Sequence, residues 1–266
     1  MLEVVRAAVP ERLADPAGQG AIHQAAPGRA LLDLPLVGRV LVEDGRRATI
    51  EPAVEASADD VAWFVGGLVT QVGWLQSGTL ALRASAVVIG GRAVALLGVA
   101  AAGKSAVAAA LALRGNPVLA DSALPVQADG GRLVARGVAD ELELWPAAID
   151  ELGLDPATGR TVRPGLAKRR YVFPAAEAAP LRAVVLLERA TSQGAPFPER
   201  VSGSASSRLV AHRTAMAPLL GPLGLRAAHF RWVTRIAAAA EVYRLRVDRH
   251  RRDLGSVAEA VEGLVT

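Results

Sequence analysis

The fold of this chain is indicated most clearly by one stretch of sequence, Gly98-Val99-Ala100-Ala101-Ala102-Gly103-Lys104-Ser105. It fits the phosphate-loop pattern G-x-x-x-x-G-K-[ST] at every position. An apolar, strand-like run over 92–97 precedes it, and an alanine-rich, helix-like run over 106–113 follows it. This is the strand–loop–helix context that the motif requires. A chance glycine-rich turn is the alternative, and the use of Lys104 argues against it, because Lys168 is the only other lysine in the sequence.

Each part of the loop has a reason to be there if the ligand is a nucleotide. The two glycines let the backbone turn successive N–H groups inward, and the start of the following helix adds positive potential. Lys104 would reach the β- and γ-phosphates, and the hydroxyl group of Ser105 would bind Mg²⁺. The residues predicted to bind the nucleotide are Gly98, Ala101, Ala102, Gly103, Lys104, Ser105 and Ala106.

One carboxylate is expected to join this loop. The helix over 104–114 and an apolar run over 117–120 complete a β-α-β crossover, which returns parallel and right-handed. Because the carboxyl ends of parallel strands lie side by side and ligands bind there, Asp121 is expected beside the phosphates. It would be a second anchor for Mg²⁺ or would receive the proton of an acceptor. An ordinary turn aspartate is the alternative interpretation.

Hairpins flank the phosphate-loop unit on both sides. Gly90-Gly91 separates two apolar runs before the loop, and Asp129-Gly130-Gly131 separates two more after Asp121. GTPases and most motor ATPases place the loop strand in a parallel sheet, so a hairpin partner indicates a different P-loop architecture. The fold class expected is α/β, with a P-loop nucleotide-binding core flanked by hairpins.

The first part of the chain differs in composition from the rest. Residues 1–58 are rich in proline, glycine and short apolar runs, and residues 59–75 have apolar side chains at helical spacing. We therefore expect a small N-terminal α+β region over 1–76 and a kinase-like nucleotide-binding domain over 77–266.

Composition excludes several classes of protein. With 30 Lys+Arg against 26 Asp+Glu, a net charge of +4 and 4% aromatic residues, the 266-residue chain gives little basis for nucleic-acid binding. The absence of cysteine excludes disulfides, zinc–thiolate sites and cysteine nucleophiles. The uncharged run over 61–82 is interrupted by polar residues and glycines and has the spacing of a core helix rather than a membrane span. A cytoplasmic protein with neither membrane nor nucleic-acid partner is expected.

Three groups of charged residues remain. Glu141 and Glu143 alternate before Trp145, and one of them could present a carboxylate to the site, although neither is assigned a role. A basic loop with Arg163, Lys168, Arg169 and Arg170 would contact phosphates or an acidic peptide, or would be solvated. The arginine-rich stretch over 244–252 is expected on an exposed sheet edge, where positive charge opposes strand addition.

Several of these segments together resemble the HPr kinase/phosphorylase-like family, especially its short kinases from bacterial peptide-biosynthesis clusters such as those for lasso peptides. The resemblance spans about residues 60–266. The matching segments are Leu82-Arg83-Ala84-Ser85-Ala86-Val87, the loop Gly98 to Ser105, Arg114-Gly115-Asn116-Pro117-Val118-Leu119-Ala120-Asp121-Ser122, Val184-Val185-Leu186-Leu187-Glu188 and Val242-Tyr243-Arg244-Leu245. The resemblance implies a nucleotide-binding core of the phosphoenolpyruvate-carboxykinase type. It also implies ATP and Mg²⁺ as cofactors and a serine of a peptide or small protein as acceptor, and it is compatible with a homo-oligomer.

Carried over by position, the resemblance gives nucleotide and metal contacts to Lys104 and Ser105 and makes Asp121 the first of the family's paired aspartates. The chain departs from the family at two positions. Arg83 stands where a histidine is usual, and Ser122 stands where the second aspartate, generally the base toward the acceptor hydroxyl, is usual. Asp121 would then act alone, and Arg83 would add positive charge near the γ-phosphate unless it is a solvated arginine at a strand start. The predicted catalytic residues are Asp121, Lys104 and Arg83, and the predicted metal ligands are Ser105 and Asp121.

Two functions follow from the sequence. The first is an ATP- and Mg²⁺-dependent kinase that transfers the γ-phosphate to a serine hydroxyl. General-base assistance is worth about 10²–10⁴-fold, so loss of the base would leave a slow kinase rather than none. The alternative is a catalytically degraded relative that binds nucleotide as a sensor or as a module that docks a partner, and it is favoured by Arg83 and Ser122.

Overall fold

The computed structural model describes residues 2–35, 37–190, 196–248 and 253–265, which form a mixed α/β protein. The chain divides into two compact units. One contains Met1–Ala81, Arg163–Gly165 and Ala215–Trp232, and the other contains Leu82–Val162, Leu166–Thr214 and Val233–Thr266. In the described ranges no helix combines the length and the apolar character needed to cross a bilayer.

A β-sheet dominates the start of the chain. Its strands in the described residues are β1 (Glu3–Arg6), β2 (Gly18–Gly20), β3 (His23–Ala26), β4 (Arg29–Leu34), β5 (Gly38–Glu43) and β6 (Arg47–Pro52). Strands β2 to β6 pair antiparallel with their neighbours in sequence, and β1 pairs parallel with β6. Val40 and Val42 are fully buried because alternate residues of a strand point to the same face.

A helical stretch follows this sheet, as the spacing over 59–75 predicts. It consists of α1 (Ala58–Phe64), a five-residue π-helix (Val65–Val69) and α2 (Thr70–Gln76). The Ser57 side chain caps its start by accepting a hydrogen bond from the backbone N–H of Asp60. The π-helix was not predicted; the Thr70 hydroxyl donates to the carbonyl of Val65 at 2.6 Å across it.

The remaining elements include the phosphate-loop unit. They are β7 (Ala81–Leu82), β8 (Ala84–Ile89), β9 (Arg92–Leu97), α3 (Lys104–Leu113), β10 (Val118–Ala120), β11 (Leu124–Asp129), β12 (Arg132–Arg136), β13 (Glu141–Leu144), α4 (Pro146–Glu151), β14 (Arg160–Thr161), β15 (Arg169–Val172), β16 (Ala178–Ala190), β17 (Phe197–Val201), α5 (Ser204–His212), a 3₁₀ helix (Ala217–Leu219), α6 (Arg226–Ala239), β18 (Glu241–Asp248) and α7 (Leu254–Glu262).

The central sheet has β9 and β16 in its middle. Strands β8 and β9 form the predicted antiparallel hairpin around Gly90 and Gly91, whose φ angles are 55° and 76°. Strand β9 pairs parallel with β16, and β16 pairs parallel with β18. The predicted hairpin of β11 and β12 joins the start of β16, while β13, β15 and β14 form a separate small sheet.

The relation between β9 and β10 differs from the prediction. The two strands run parallel, because both are antiparallel to β8, but β8 lies between them. The prediction that their carboxyl ends lie side by side is therefore wrong. The hairpin turn keeps β8 next to β9, so helix α3 must cross over β8 before the chain returns as β10. As a result the amino end of β8 lies between the carboxyl ends of β9 and β10.

Helix α3 is held firmly against this sheet. All seven residues from Ala106 to Ala112 are buried, as expected for a helix that is apolar on every side. The helix packs in one core with residues of the sheet, such as Leu96 and Leu187, and with Val257 of α7. The loop before α3 is thus fixed at both ends by a packed element.

The basic stretch over 244–252 does not lie on an exposed edge in its described part. Strand β18 pairs with β16 on one side and with β17 on the other, so the predicted edge position is wrong. Arg244 forms an ion pair with Glu188 at 3.0 Å, and Arg246 forms one with Glu199 at 3.4 Å. Residues 249–252 lie outside the described residues.

Candidate nucleotide-binding site

The phosphate loop joins the end of β9 to the start of α3 in a conformation that depends on glycine. Gly98 is buried at φ 157°, and a Cβ there would lie 2.7 Å from the Cβ of Ala102 and 3.1 Å from the carbonyl oxygen of Leu187. Gly103 caps α3 at φ 94°, in the left-handed region. Ala101 also lies in that region, at φ 58°, which costs an alanine about 1–2 kcal/mol. The backbone is therefore bent where the motif predicts a cradle.

The start of α3 can bind an anion. Gly103 offers no side chain to cap the helix. The first turn of a helix has N–H groups without partners in the helix, and here Lys104, Ser105 and Ala106 form that turn. Together with the helix dipole, these groups favour a phosphate at this position. The N–H of Ala102 donates back to the carbonyl of Val99 at 3.2 Å, which tightens the loop.

Lys104 lies over the loop. Its ammonium group donates to the carbonyl oxygens of Gly98 at 3.3 Å and Val99 at 3.1 Å. Burial is the main cause that lowers the pKa of Lys104, and the nearby charges of Arg83, Arg213 and Lys168 lower it further, while Asp121 opposes them. The predicted phosphate ligand therefore lies among other cations and within electrostatic range of the predicted metal ligand.

Asp121 accepts hydrogen bonds on both carboxylate oxygens. The hydroxyl of Ser105 donates to Oδ1 at 2.8 Å, the hydroxyl of Ser85 donates to the same oxygen at 2.6 Å, and the N–H of Ser122 does so at 3.1 Å. The N–H of Glu143 donates to Oδ2 at 3.0 Å. The structure thus brings Ser105 and Asp121 together and fixes the orientation of the carboxylate.

This arrangement fits a magnesium–nucleotide complex. Since Ser105 donates its proton to Asp121, the lone pairs of its oxygen stay available for a metal. Mg²⁺ is commonly held by one or two protein groups together with the phosphates of the nucleotide and water. No group of three or more His, Cys, Asp or Glu residues gathers into a metal site in the described part of the chain. The donor set of Ser105 and Asp121 therefore suits a metal that arrives with a nucleotide.

The same arrangement bears on the choice between the two roles predicted for Asp121. Four donors already use its two oxygens, so orienting the Ser105 hydroxyl suits it better than receiving a proton from an acceptor. Ser122 is exposed and has φ 74°. Its side chain is uncharged, so no carboxylate stands at the position where the family usually has one.

Arg83 lies at the end of the sheet next to the loop. Ala84 pairs with Leu97, which puts Arg83 opposite Gly98. The N–H of Arg83 donates to the carbonyl oxygen of Arg213 at 2.6 Å, and the Arg83 residue is exposed. This geometry is compatible with both interpretations of Arg83, because the residue is exposed at a strand start and its charge also acts on Lys104.

The stretch Lys168-Arg169-Arg170 is half-buried and ion-paired in part. The carboxylate of Glu143 is 3.5 Å from Lys168 and 3.3 Å from Arg170. Glu143 therefore joins the site through its backbone N–H, while its carboxylate is held by these two cations. Glu141 faces Arg160 and Arg170 instead.

For three residues near the loop, the sequence predicted no role in the site. Ser85 is fully buried on β8, and its contact with Asp121 depends on the position of β8 between β9 and β10. Arg189 follows the part of β16 that pairs with β9 and donates to the carbonyl of Ala101 at 2.9 Å. Arg213 precedes Thr214, which bridges to Leu82. Pairing between distant segments brings all three there, and no local sequence signal indicates it.

Comparison with known proteins gives distant similarity to solved structures. No family model matches the chain, and no curated protein is significantly similar to it. Among solved structures, the Hpr(Ser) kinase/phosphatase from Coxiella burnetii is similar at 14% sequence identity and a TM-score of 0.38. The match covers 70% of this chain and 87% of that one.

Proposed function

We propose that the protein is a phosphotransferase of the HPr kinase-like type that binds ATP with Mg²⁺ and phosphorylates a serine of a peptide or small protein. The single observation that carries the proposal is the hydrogen bond from Ser105 to Asp121 below the phosphate loop. It joins the last residue of the motif to a carboxylate sixteen positions away, at the edge of the sheet where a nucleotide would bind.

Each group of the site has a part in the proposed reaction. The loop and the start of α3 would bind the phosphates, Lys104 would neutralise charge on them, and Ser105, oriented by its hydrogen bond to Asp121, would hold Mg²⁺. The metal, when bound, would draw charge from the β- and γ-phosphate oxygens. This division suits phosphoryl transfer, which depends mainly on positioning and electrostatic stabilisation.

In the transfer the serine oxygen bonds to the γ-phosphorus. The bond from that phosphorus to the β–γ bridging oxygen breaks, ADP leaves with that oxygen, and the hydroxyl proton passes to solvent. Because Ser122 supplies no carboxylate, the proton has no dedicated acceptor, and we expect a slow kinase.

The test has a binding arm and a transfer arm. Calorimetric titration with ATP and Mg²⁺ should give saturable heat for the wild type and for Arg92→Gln, whose residue is exposed at the far end of β9 from the loop. Lys104→Ala should bind at least tenfold more weakly, about 1.4 kcal/mol. Incubation with γ-labelled ATP and candidate acceptors should label a peptide with the wild type and not with Lys104→Ala. Absence of binding by the wild type would refute the proposal.

The alternative is a nucleotide-binding module without transfer, and it rests on a specific observation. Asp121 is already engaged by four donors, and Ser122 is no base. In that case ATP with Mg²⁺ would raise the melting temperature of the wild type, because a ligand that binds only the native state stabilises it, while transfer would stay at the level of Lys104→Ala.

A further inference from the structure

Beyond the phosphate loop, two arginines meet at the amino end of β8. Arg83 lies opposite Gly98 because the neighbouring pair Ala84 and Leu97 closes the hairpin ladder. The segment with Arg213 is fixed against it by the hydrogen bond from the N–H of Arg83 to the carbonyl of Arg213 at 2.6 Å. The chain thus holds two guanidinium-bearing residues together beside the loop.

Neither arginine has a carboxylate partner in the part of the chain that the structure describes. Among the residues that the structure describes, the arginines farther from the loop commonly form ion pairs, but no Asp or Glu lies within ion-pairing distance of Arg83 or Arg213. On another side of the site, Lys168 has Glu143 as its partner. Arg83 and Arg213 therefore bring positive charge to the side of the loop that no carboxylate in the described residues balances by an ion pair.

Gathering like charges costs free energy unless an anion binds among them. A complex of ATP with Mg²⁺ has a net charge of about −2, and Lys104, Arg189 and the start of α3 already lie along the loop to meet it. Two guanidinium groups beyond these are more than the nucleotide needs.

We propose that Arg83 and Arg213 form a second anion subsite, which holds a carboxylate or phosphate group of the acceptor next to the serine that is phosphorylated. The inference rests on the proposed function and names its substrate class: a serine flanked by an acidic or phosphorylated residue. Guanidinium groups suit both anions because their N–H donors match two oxygens at once. The subsite would also explain why arginine is useful at position 83.

The test measures peptide binding, so it does not depend on turnover. Three fluorescent peptide libraries share a central serine and random neutral residues, and they differ at the flanking positions, which are Asp, phosphoserine or Asn. Their affinity for the protein saturated with magnesium and a non-hydrolysable ATP analogue is measured by fluorescence anisotropy. The Asp library, the phosphoserine library or both should bind at least tenfold more tightly than the Asn library.

Variants assign this preference to the two arginines. The double variant Arg83→Gln, Arg213→Gln should lose it, whereas Arg92→Gln, an exposed arginine at the other end of β9, should keep it. Equal binding of all three libraries by the loaded wild type, or a preference that survives in the double variant, would overturn the subsite and leave the proposed function standing. Failure of the wild type to bind the ATP analogue would instead refute the proposed function, and the subsite with it.

Discussion

The hydrogen bond from Ser85 to Asp121 should contribute a measurable amount to the unfolding free energy of the protein. Ser85 is fully buried, and its hydroxyl lies 2.6 Å from Oδ1 of Asp121. A hydrogen bond to a charged group contributes about 1.5–3 kcal/mol, and one between neutral groups about 0.5–1.5 kcal/mol. Because Oδ1 keeps the donors Ser105 and Ser122 when Ser85 is removed, we expect the lower end, so Ser85→Ala should cost about 1.5 kcal/mol of unfolding free energy.

A double-mutant cycle isolates the charged part of this interaction. Asp121→Asn keeps the shape of the side chain and removes its charge, so the coupling with Ser85→Ala should be about 1 kcal/mol, the difference between a charged and a neutral hydrogen bond. Ser206→Ala is the matched control, because Ser206 is 3% exposed and donates to the carbonyl of Gly203, a neutral acceptor, at 2.7 Å.

Urea unfolding at pH 7 measures all of these variants, with unchanged slopes as the sign that the two end states are comparable. Ser206→Ala should cost about 1 kcal/mol and should be additive with Asp121→Asn. Additive effects of Ser85→Ala and Asp121→Asn would contradict this prediction, because the charge of Asp121 would then add nothing to its hydrogen bond with Ser85.

Three further variants test the loop and the acceptor side. Gly98→Ala should weaken ATP binding at least tenfold, about 1.4 kcal/mol, since its Cβ would meet Ala102 at 2.7 Å; titration calorimetry would contradict this by finding unchanged affinity. Lys104→Met should raise the melting temperature without nucleotide at pH 7, because burial and Arg83 lower the pKa of Lys104. Below that lowered pKa, the charged ammonium group of Lys104 reduces the stability of the wild type. The stability gained by Lys104→Met should therefore shrink as the pH rises toward 10.5, the ordinary pKa of lysine. Ser122→Asp should raise the transfer rate about 10²-fold, since aspartate tolerates the backbone at φ 74° and restores a base; an unchanged rate would speak for the binding module.

The local parts of the fold could be predicted because their causes are local. The glycines at 90 and 91 permit the positive φ angles of a tight hairpin, and the structure has that hairpin. The loop pattern over 98–105 requires a strand before it and a helix after it, and β9 and α3 supply both. Asp121 was also predicted near Ser105, and it lies there because the parallel strands β9 and β10 end at the same edge of the sheet, although β8 separates them.

The order of the strands in the central sheet could not be predicted from the sequence. Whether β8 stays outside β9 or lies between β9 and β10 depends on which pairing buries more apolar surface across the whole sheet, and no local pattern encodes that choice. The consequence is chemical. With β8 in between, Ser85 reaches Asp121 and the backbone of Arg83 meets that of Arg213.

A phosphate loop, a carboxylate after the next parallel strand and a serine at position 122 can all be recognised from the sequence. These follow from residue type and spacing within about 25 positions. Which side chains surround that carboxylate, and which cations lie beside the loop, depends on the tertiary structure. The residues concerned come from segments that meet through long-range strand pairing: Ser85, Glu143, Arg189 and Arg213. Charge and hydrogen bonding act over a few ångströms of space, and separation along the chain does not measure that distance.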